Sequence, residues 1–151
     1  MAYNTITLKG TPIVHEAVAA AGLTPGHLCE FTSAGTVQKH ATLGGNAYPM
    51  FALENDHEGE DIDHAYVAAE QVQLGVFTAG SEVWALLANG ETAVIGSYLE
   101  SAGGGTLQVL DADASVGLVK TNSIIGVART AVDMSGSSGV DPSPRIRVMI
   151  I

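Results

Sequence analysis

Gln71-Val72-Gln73-Leu74-Gly75-Val76-Phe77-Thr78 is the stretch that decides the fold class. Val72, Leu74 and Val76 alternate with Gln71, Gln73 and Gly75, a period of two that turns one face of an extended strand inward and leaves Phe77 on the other. Thr78-Ala79-Gly80-Ser81 reads as a turn, and Glu82-Val83-Trp84-Ala85-Leu86-Leu87 as the antiparallel strand returning from it. Asn89-Gly90 is a second turn signal.

The same rhythm of short apolar runs cut by glycine extends in both directions. Leu28 to Thr32 and Thr36 to His40 flank Ser33-Ala34-Gly35 as a hairpin with glycine at a permissive position. Tyr48 to Leu53, Ser97 to Glu100, Thr106 to Leu110, Ile124 to Thr130 and Arg145 to Ile151 complete the expected strands. In the last, Ile146, Val148 and Ile150 alternate against Arg145, Arg147 and Met149, the pattern of a half-buried strand. The expectation is a mainly β protein, a small β-barrel or β-sandwich of short antiparallel strands with an extended N-terminal arm. The arm is read as residues 1–21, with a short helical turn favoured by the alanines of His15 to Ala21, and the β-rich domain as 22–151. Met134 to Pro144, rich in Ser, Gly and Pro, reads as a flexible loop.

At 151 residues one domain is the default, and 46% hydrophobic against 15% charged residues excludes disorder over most of the length. The formal charge is -10, and no Lys or Arg occurs between Lys39 and Lys120, an interval holding twelve carboxylates. Such a stretch repels phosphate, which argues against nucleic acid and anionic membranes as partners. No apolar run approaches the length of a membrane span and no signal-peptide pattern opens the chain, so a soluble protein is expected. The single cysteine, Cys29, excludes an intramolecular disulfide.

The residues that could carry chemistry read more plainly as structure. Glu54 to His64 packs six carboxylates and two histidines, but their spacing departs from calcium-loop and zinc patterns, so a solvated acidic loop is expected and no metal. Cys29 between His27 and Glu30 invites a thiolate reading with His40 as base; a buried small hydrophobe is favoured. Gly103-Gly104-Gly105-Thr106 lacks the lysine of a phosphate loop, and Ser135 to Ser138 lacks nucleophile-elbow spacing. Trp84, near Tyr66 and Phe77 in sequence, reads as core or interface. No catalytic constellation and no cofactor are expected.

Several segments taken together carry a resemblance. They are Leu23-Thr24-Pro25-Gly26-His27-Leu28-Cys29-Glu30, Val72-Gln73-Leu74-Gly75-Val76-Phe77, Ile95-Gly96-Ser97-Tyr98-Leu99-Glu100-Ser101 with Gly105-Thr106-Leu107, and Ile125-Gly126-Val127-Ala128 before Arg147-Val148. Their order over residues 22–151 resembles the head decoration, or capsid cement, proteins of tailed bacteriophages. The resemblance implies a small β protein, not an enzyme, that binds the outer surface of an assembled head, commonly as a homotrimer, and clamps neighbouring major capsid protein subunits. The arm lies outside that resemblance; its Tyr3, Ile6, Leu8, Ile13 and Val14 are apolar without enough neighbours to form a core, and are expected to anchor on the capsid. Arg145 and Arg147, with Lys120 and Arg129, are expected near subunit or capsid contacts, while the acidic loop faces solvent. The competing readings are a surface-displayed carbohydrate- or host-binding module using Trp84 and a calcium-loaded acidic loop, and a small hydrolase using Cys29 or Ser137.

Overall fold

The computed structural model describes residues 3–110, 123–138 and 144–151. The described residues form thirteen short strands: β1 (Thr7–Lys9), β2 (Ile13–Val18), β3 (Cys29–Phe31), β4 (Val37–Lys39), β5 (Met50–Ala52), β6 (Gln71–Val76), β7 (Glu82–Leu86), β8 (Thr92–Ala93), β9 (Tyr98–Ser101), β10 (Leu107–Val109), β11 (Ile124–Ala128), β12 (Val132–Asp133) and β13 (Arg145–Ile150). One 3-10 turn, Asp56–Glu58, interrupts them. The protein is mainly β, as its alternating apolar runs require. Its largest sheet has the order β1-β7-β13-β11-β9-β10; a three-stranded sheet runs β2-β6-β5, and β3-β4 and β8-β12 are paired separately. Every strand ladder is antiparallel. Outside the ladders, two isolated bridges are parallel: Ala19 to Val37 ties the end of β2 to β4, and Leu87 to Leu107 draws β10 back toward the end of β7, curling the large sheet without closing it. The result is sandwich-like.

Three expectations are corrected. Gln71–Val76 and Glu82–Leu86 are both strands, but they do not form a hairpin: β6 pairs with β2 and β5, whereas β7 pairs with β1 and β13. Thr78 to Ser81 is therefore a crossing between sheets, turned by the Ser81 N–H to Thr78 carbonyl bond and held to β13 through Gly80 N–H and the Ile150 carbonyl at 2.8 Å. Both segments alternate correctly; periodicity fixes which face is buried, not which neighbour completes the ladder. The helical turn expected within His15 to Ala21 is instead strand β2 and its continuation, in register with β6 from Ile13 opposite Val76 to Val18 opposite Gln71. Six backbone residues paired with a strong strand outweigh the small helical preference of four alanines.

The N-terminal stretch, finally, is not a separate arm. Ile6 is fully buried, its carbonyl accepts the Trp84 N–H at 2.8 Å and its own N–H reaches the Glu54 carboxylate at 3.1 Å, and β1 adds an edge to the large sheet. Burial of one isoleucine contributes about 2 to 3 kcal/mol, enough to hold a short strand in place.

Two hydrophobic clusters result. The larger gathers Ile6, Leu28, Phe51, Phe77, Val83, Leu87, Leu99, Leu107, Ile125, Ile146, Val148 and Ile150 under the large sheet. The smaller gathers Ala17, Ala19, Leu23, Cys29, Val37, Met50, Ala52, Tyr66, Val72 and Leu74 between the three-stranded sheet and the β3-β4 hairpin. Strand β5 belongs to both, because Phe51 points into the larger cluster and Met50 and Ala52 into the smaller.

Candidate interaction surface

The alternation expected along Arg145 to Ile150 is realised: Ile146, Val148 and Ile150 are buried, and Arg145, Arg147 and Met149 lie half-buried on the outer face. Opposite them on β7 stand Leu86, Trp84 and Glu82. This outer face collects most of the chain's positive charge.

Its centre is Glu82. Though nearly inaccessible, its Oε2 accepts from Arg147 Nη2 at 2.7 Å and Nε at 3.1 Å, and its Oε1 from Arg129 Nε at 3.3 Å. Lys9 Nζ from β1 stands 3.8 Å away. Burial raises the Glu82 carboxyl, but the Arg147 hydrogen bond and charge, then Lys9 and Arg129, overcome it and hold the group below the ordinary carboxylate value. Three cations from three separate elements thus meet one carboxylate because the order β1-β7-β13-β11 makes them neighbours. Tyr3 packs edge-on against Trp84 beside them, with ring centroids 5.0 Å apart.

Arg145 serves a different purpose. Its Nη1 donates to the Pro25 carbonyl at 2.9 Å and its Nη2 to the Ile62 carbonyl at 2.7 Å, with Asp63 at 3.6 Å. The guanidinium fastens the Thr24-Pro25-Gly26 bend and the end of the acidic loop to β13. Gly26, at φ +96°, lies so close that a Cβ there would stand 2.5 Å from Arg145 Nη1. With only 12% of its side chain exposed, Arg145 spends its hydrogen bonds within the chain. Arg147 is bound to Glu82 but keeps a partly exposed edge, and Lys120 lies outside the described residues.

The five expected anchors separate. Ile6 is core, Tyr3 and Leu8 are half-buried, and Ile13 and Val14 are 63% and 53% exposed. The last two lie on β2, which also exposes Val18 and forms an edge of its sheet. Val14 and Val18 share one face of this edge strand and Ile13 lies on the other, so the strand combines exposed apolar side chains with an available backbone edge.

In the acidic loop, Asp56, Glu58, Asp61 and Asp63 are exposed, as expected of a solvated run. His64 Nδ1 lies 3.0 Å from Glu60 and Asp61 Oδ1 accepts the Asp63 N–H at 3.0 Å, so part of the loop is occupied with itself. Among the described residues no three His, Cys, Asp or Glu side chains gather in a way that could hold a metal ion. An open cleft lined by Thr5, Thr7, Val14, Asp56, His57 and Gln73 separates the loop from β1 and β2.

The nucleophile candidates are structurally engaged. Cys29 is buried with Sγ donating to the His27 carbonyl, and burial pushes its thiol up to about 12. His27 Nδ1 accepts the Thr24 N–H at 2.9 Å, and burial with Lys39 and Arg145 nearby lowers its pKa to about 4. The His40 ring lies between Ser101 Oγ at 2.7 Å and the Asn46 carbonyl at 3.0 Å. Ser137 Oγ bonds the Met134 carbonyl and accepts the Gly90 N–H, which ties a loop to the Asn89-Gly90 turn. Tyr66 and Phe77 fall in different clusters, and neither joins Trp84 on the outer face.

Sequence reading singled out Arg147 but missed Glu82 and Lys9. The available signal was a lone carboxylate heading the otherwise apolar run Val83 to Leu87, where an unpaired charge would be costly.

No family model and no curated protein matches this sequence. Among solved structures, the fold is similar to that in the crystal structure of the head fiber gp8.5 N base in bacteriophage phi29. The TM-score is 0.58 at 10% sequence identity, with 93% of this chain and 95% of that one covered, so the likeness takes in nearly the whole of both folds.

Proposed function

We propose that this chain is a structural protein of a tailed-phage virion. In this reading it sits on the outer surface of the head, where several copies bridge major capsid protein subunits in the manner of a decoration or cement protein. The observation that carries the reading is the near-complete fold likeness to a protein named as a phage head fiber base. The sequence motifs that resemble capsid decoration proteins support it independently. Ile13, Val14 and Val18 on the β2 edge are the proposed capsid-facing apolar contacts, replacing the full set of five N-terminal anchors. A homo-oligomer, with a trimer as the number the resemblance supplies, would gain avidity from weak contacts repeated on a symmetric lattice.

The test mixes purified protein with undecorated expanded heads built from the cognate major capsid protein and follows co-sedimentation. Saturable binding at a fixed ratio to the capsid protein is expected, with Ile13→Asp/Val14→Asp reducing it at least roughly tenfold, since two buried charges replace apolar contacts. Heads that sediment free of the protein at all concentrations would overturn the reading.

A further inference from the structure

The cations around Glu82 exceed what Glu82 requires. Arg147 alone gives its carboxylate a two-pronged hydrogen bond, at 2.7 and 3.1 Å. Arg129 and Lys9 are additional, and 45% and 65% of their side chains remain exposed. Three cations against one carboxylate leave two positive charges in surplus, on a chain whose net charge is -10. Three of the chain's six lysines and arginines are spent on this one spot.

The opposite charge is displayed at the other end of the same face. Along β13, Met149 lies opposite Glu82, while Arg145 is tied to Ile62 and Asp63 of the acidic loop. Asp63 is 83% exposed, and Asp56, Glu58 and Asp61 of that loop also face water. A surface positive at one end and negative at the other is complementary to a copy of itself.

We propose that the Lys9, Arg129 and Arg147 cluster is a docking site for the acidic loop of a second copy of this chain. Carboxylates of Asp56, Glu58 or Asp61 from the neighbour take up the hydrogen-bonding capacity that Glu82 leaves free on Arg129 and Lys9. Glu82 holds the Arg147 and Arg129 side chains in place beforehand, so less side-chain freedom is lost when the neighbour binds. The half-buried Trp84 and Tyr3 pair beside the cluster supplies apolar area. The contact deepens the oligomer part of the reading above and does not depend on what the assembled protein binds.

The experiment is sedimentation equilibrium of the full chain at about 50 mM and about 500 mM salt, across which screening shortens the reach of exposed charges severalfold. The self-association constant is expected to weaken at least roughly tenfold at the higher salt. Lys9→Gln/Arg129→Gln, which leaves Arg147 on Glu82 and so preserves the fold, should weaken it to a similar degree at low salt. Lys9→Glu/Arg129→Glu and Asp56→Lys/Glu58→Lys/Asp61→Lys should each abolish self-association, and mixing these two variants should restore a mixed assembly. An oligomer indifferent to salt and to all three variants overturns this contact while leaving the oligomer intact. A strict monomer overturns both, and neither result alters co-sedimentation with heads, which tests the capsid reading separately.

Discussion

The two hydrophobic clusters are built from different materials. Beneath the large sheet, isoleucine and valine from β7, β11 and β13 meet Ile6, Leu28, Leu87, Leu99 and Leu107, and Phe51 stands edge-on to Phe77 with ring centroids 6.0 Å apart. Between the small sheet and the β3-β4 hairpin, the small side chains Ala17, Ala19, Ala52 and Cys29 pack with Val37, Met50, Val72 and Leu74 of the strands and with Leu23 and Tyr66 of connecting segments. There Tyr66 reaches over to the Leu53 carbonyl at 2.8 Å, and Leu23 and Tyr66 exchange backbone bonds outside any strand. Large side chains bury more apolar area per residue, so the larger share of the hydrophobic stabilisation lies in the first cluster.

The sharpest way to break this comparison is on β5, whose neighbours Met50 and Phe51 face opposite clusters at equal, complete burial. Phe51→Ala should cost about 4 kcal/mol in urea unfolding and Met50→Ala about 2 to 3 kcal/mol, both as cooperative transitions. A larger loss from Met50→Ala would reverse the ranking of the two clusters.

Acid should expose the boundary between them. His27, adjacent to Leu28 of the large cluster and two residues from Cys29 of the small one, titrates at about 4 when folded and near 6.5 when unfolded. Between those values the unfolded chain binds the extra proton, so stability falls as pH drops from about 6.5 and the loss is complete below about 4. The span corresponds to roughly 3 kcal/mol. His27→Asn, whose side-chain oxygen can accept the Thr24 N–H in place of Nδ1, should flatten this part of the stability profile. An unchanged slope in that variant would assign the acid sensitivity elsewhere.

The smallest effect belongs to Cys29. Its thiol, pushed up to about 12 and buried, should resist alkylation at neutral pH in the folded state, and Cys29→Ala should cost only about 1 kcal/mol. The labelling rate then measures how often the smaller cluster opens, and rapid labelling under native conditions would mean that it opens independently of the larger one.

Strand content was legible wherever strict alternation or a glycine turn marked it. Cys29–Phe31 and Val37–Lys39 pair across Gly35 as expected, Met50–Ala52, Leu107–Val109, Ile124–Ala128 and Arg145–Ile150 fall within the expected runs, Tyr98–Ser101 overruns its expected end by one residue, and β13 presents its arginines outward. The segment Ile13–Val18 escaped notice because an edge strand exposed at five of its six positions has no buried face to impose a pattern. Partner choice was likewise hidden: Thr78 to Ser81 has the composition of a hairpin turn, yet β7 finds its partners in β1 and β13. The interaction surface was half legible, since β13 alternation exposes Arg147, but the meeting of Lys9, Glu82 and Arg129 depends on that same long-range strand order.

The place of β13 has a kinetic consequence. Residues 145–150 are the last strand in sequence order yet occupy an interior position, between β7 and β11. Until they arrive, β7 and β11 present open backbone edges separated by one missing strand, and the outer-face carboxylate Glu82 lacks its principal cation. A sheet completed by inserting a strand some sixty residues distant from β7 has high contact order and folds on the slow, millisecond-to-second scale. During synthesis the unfinished sheet is therefore the species most exposed to wrong edge pairing with another nascent chain, and insertion of the keystone strand removes that hazard.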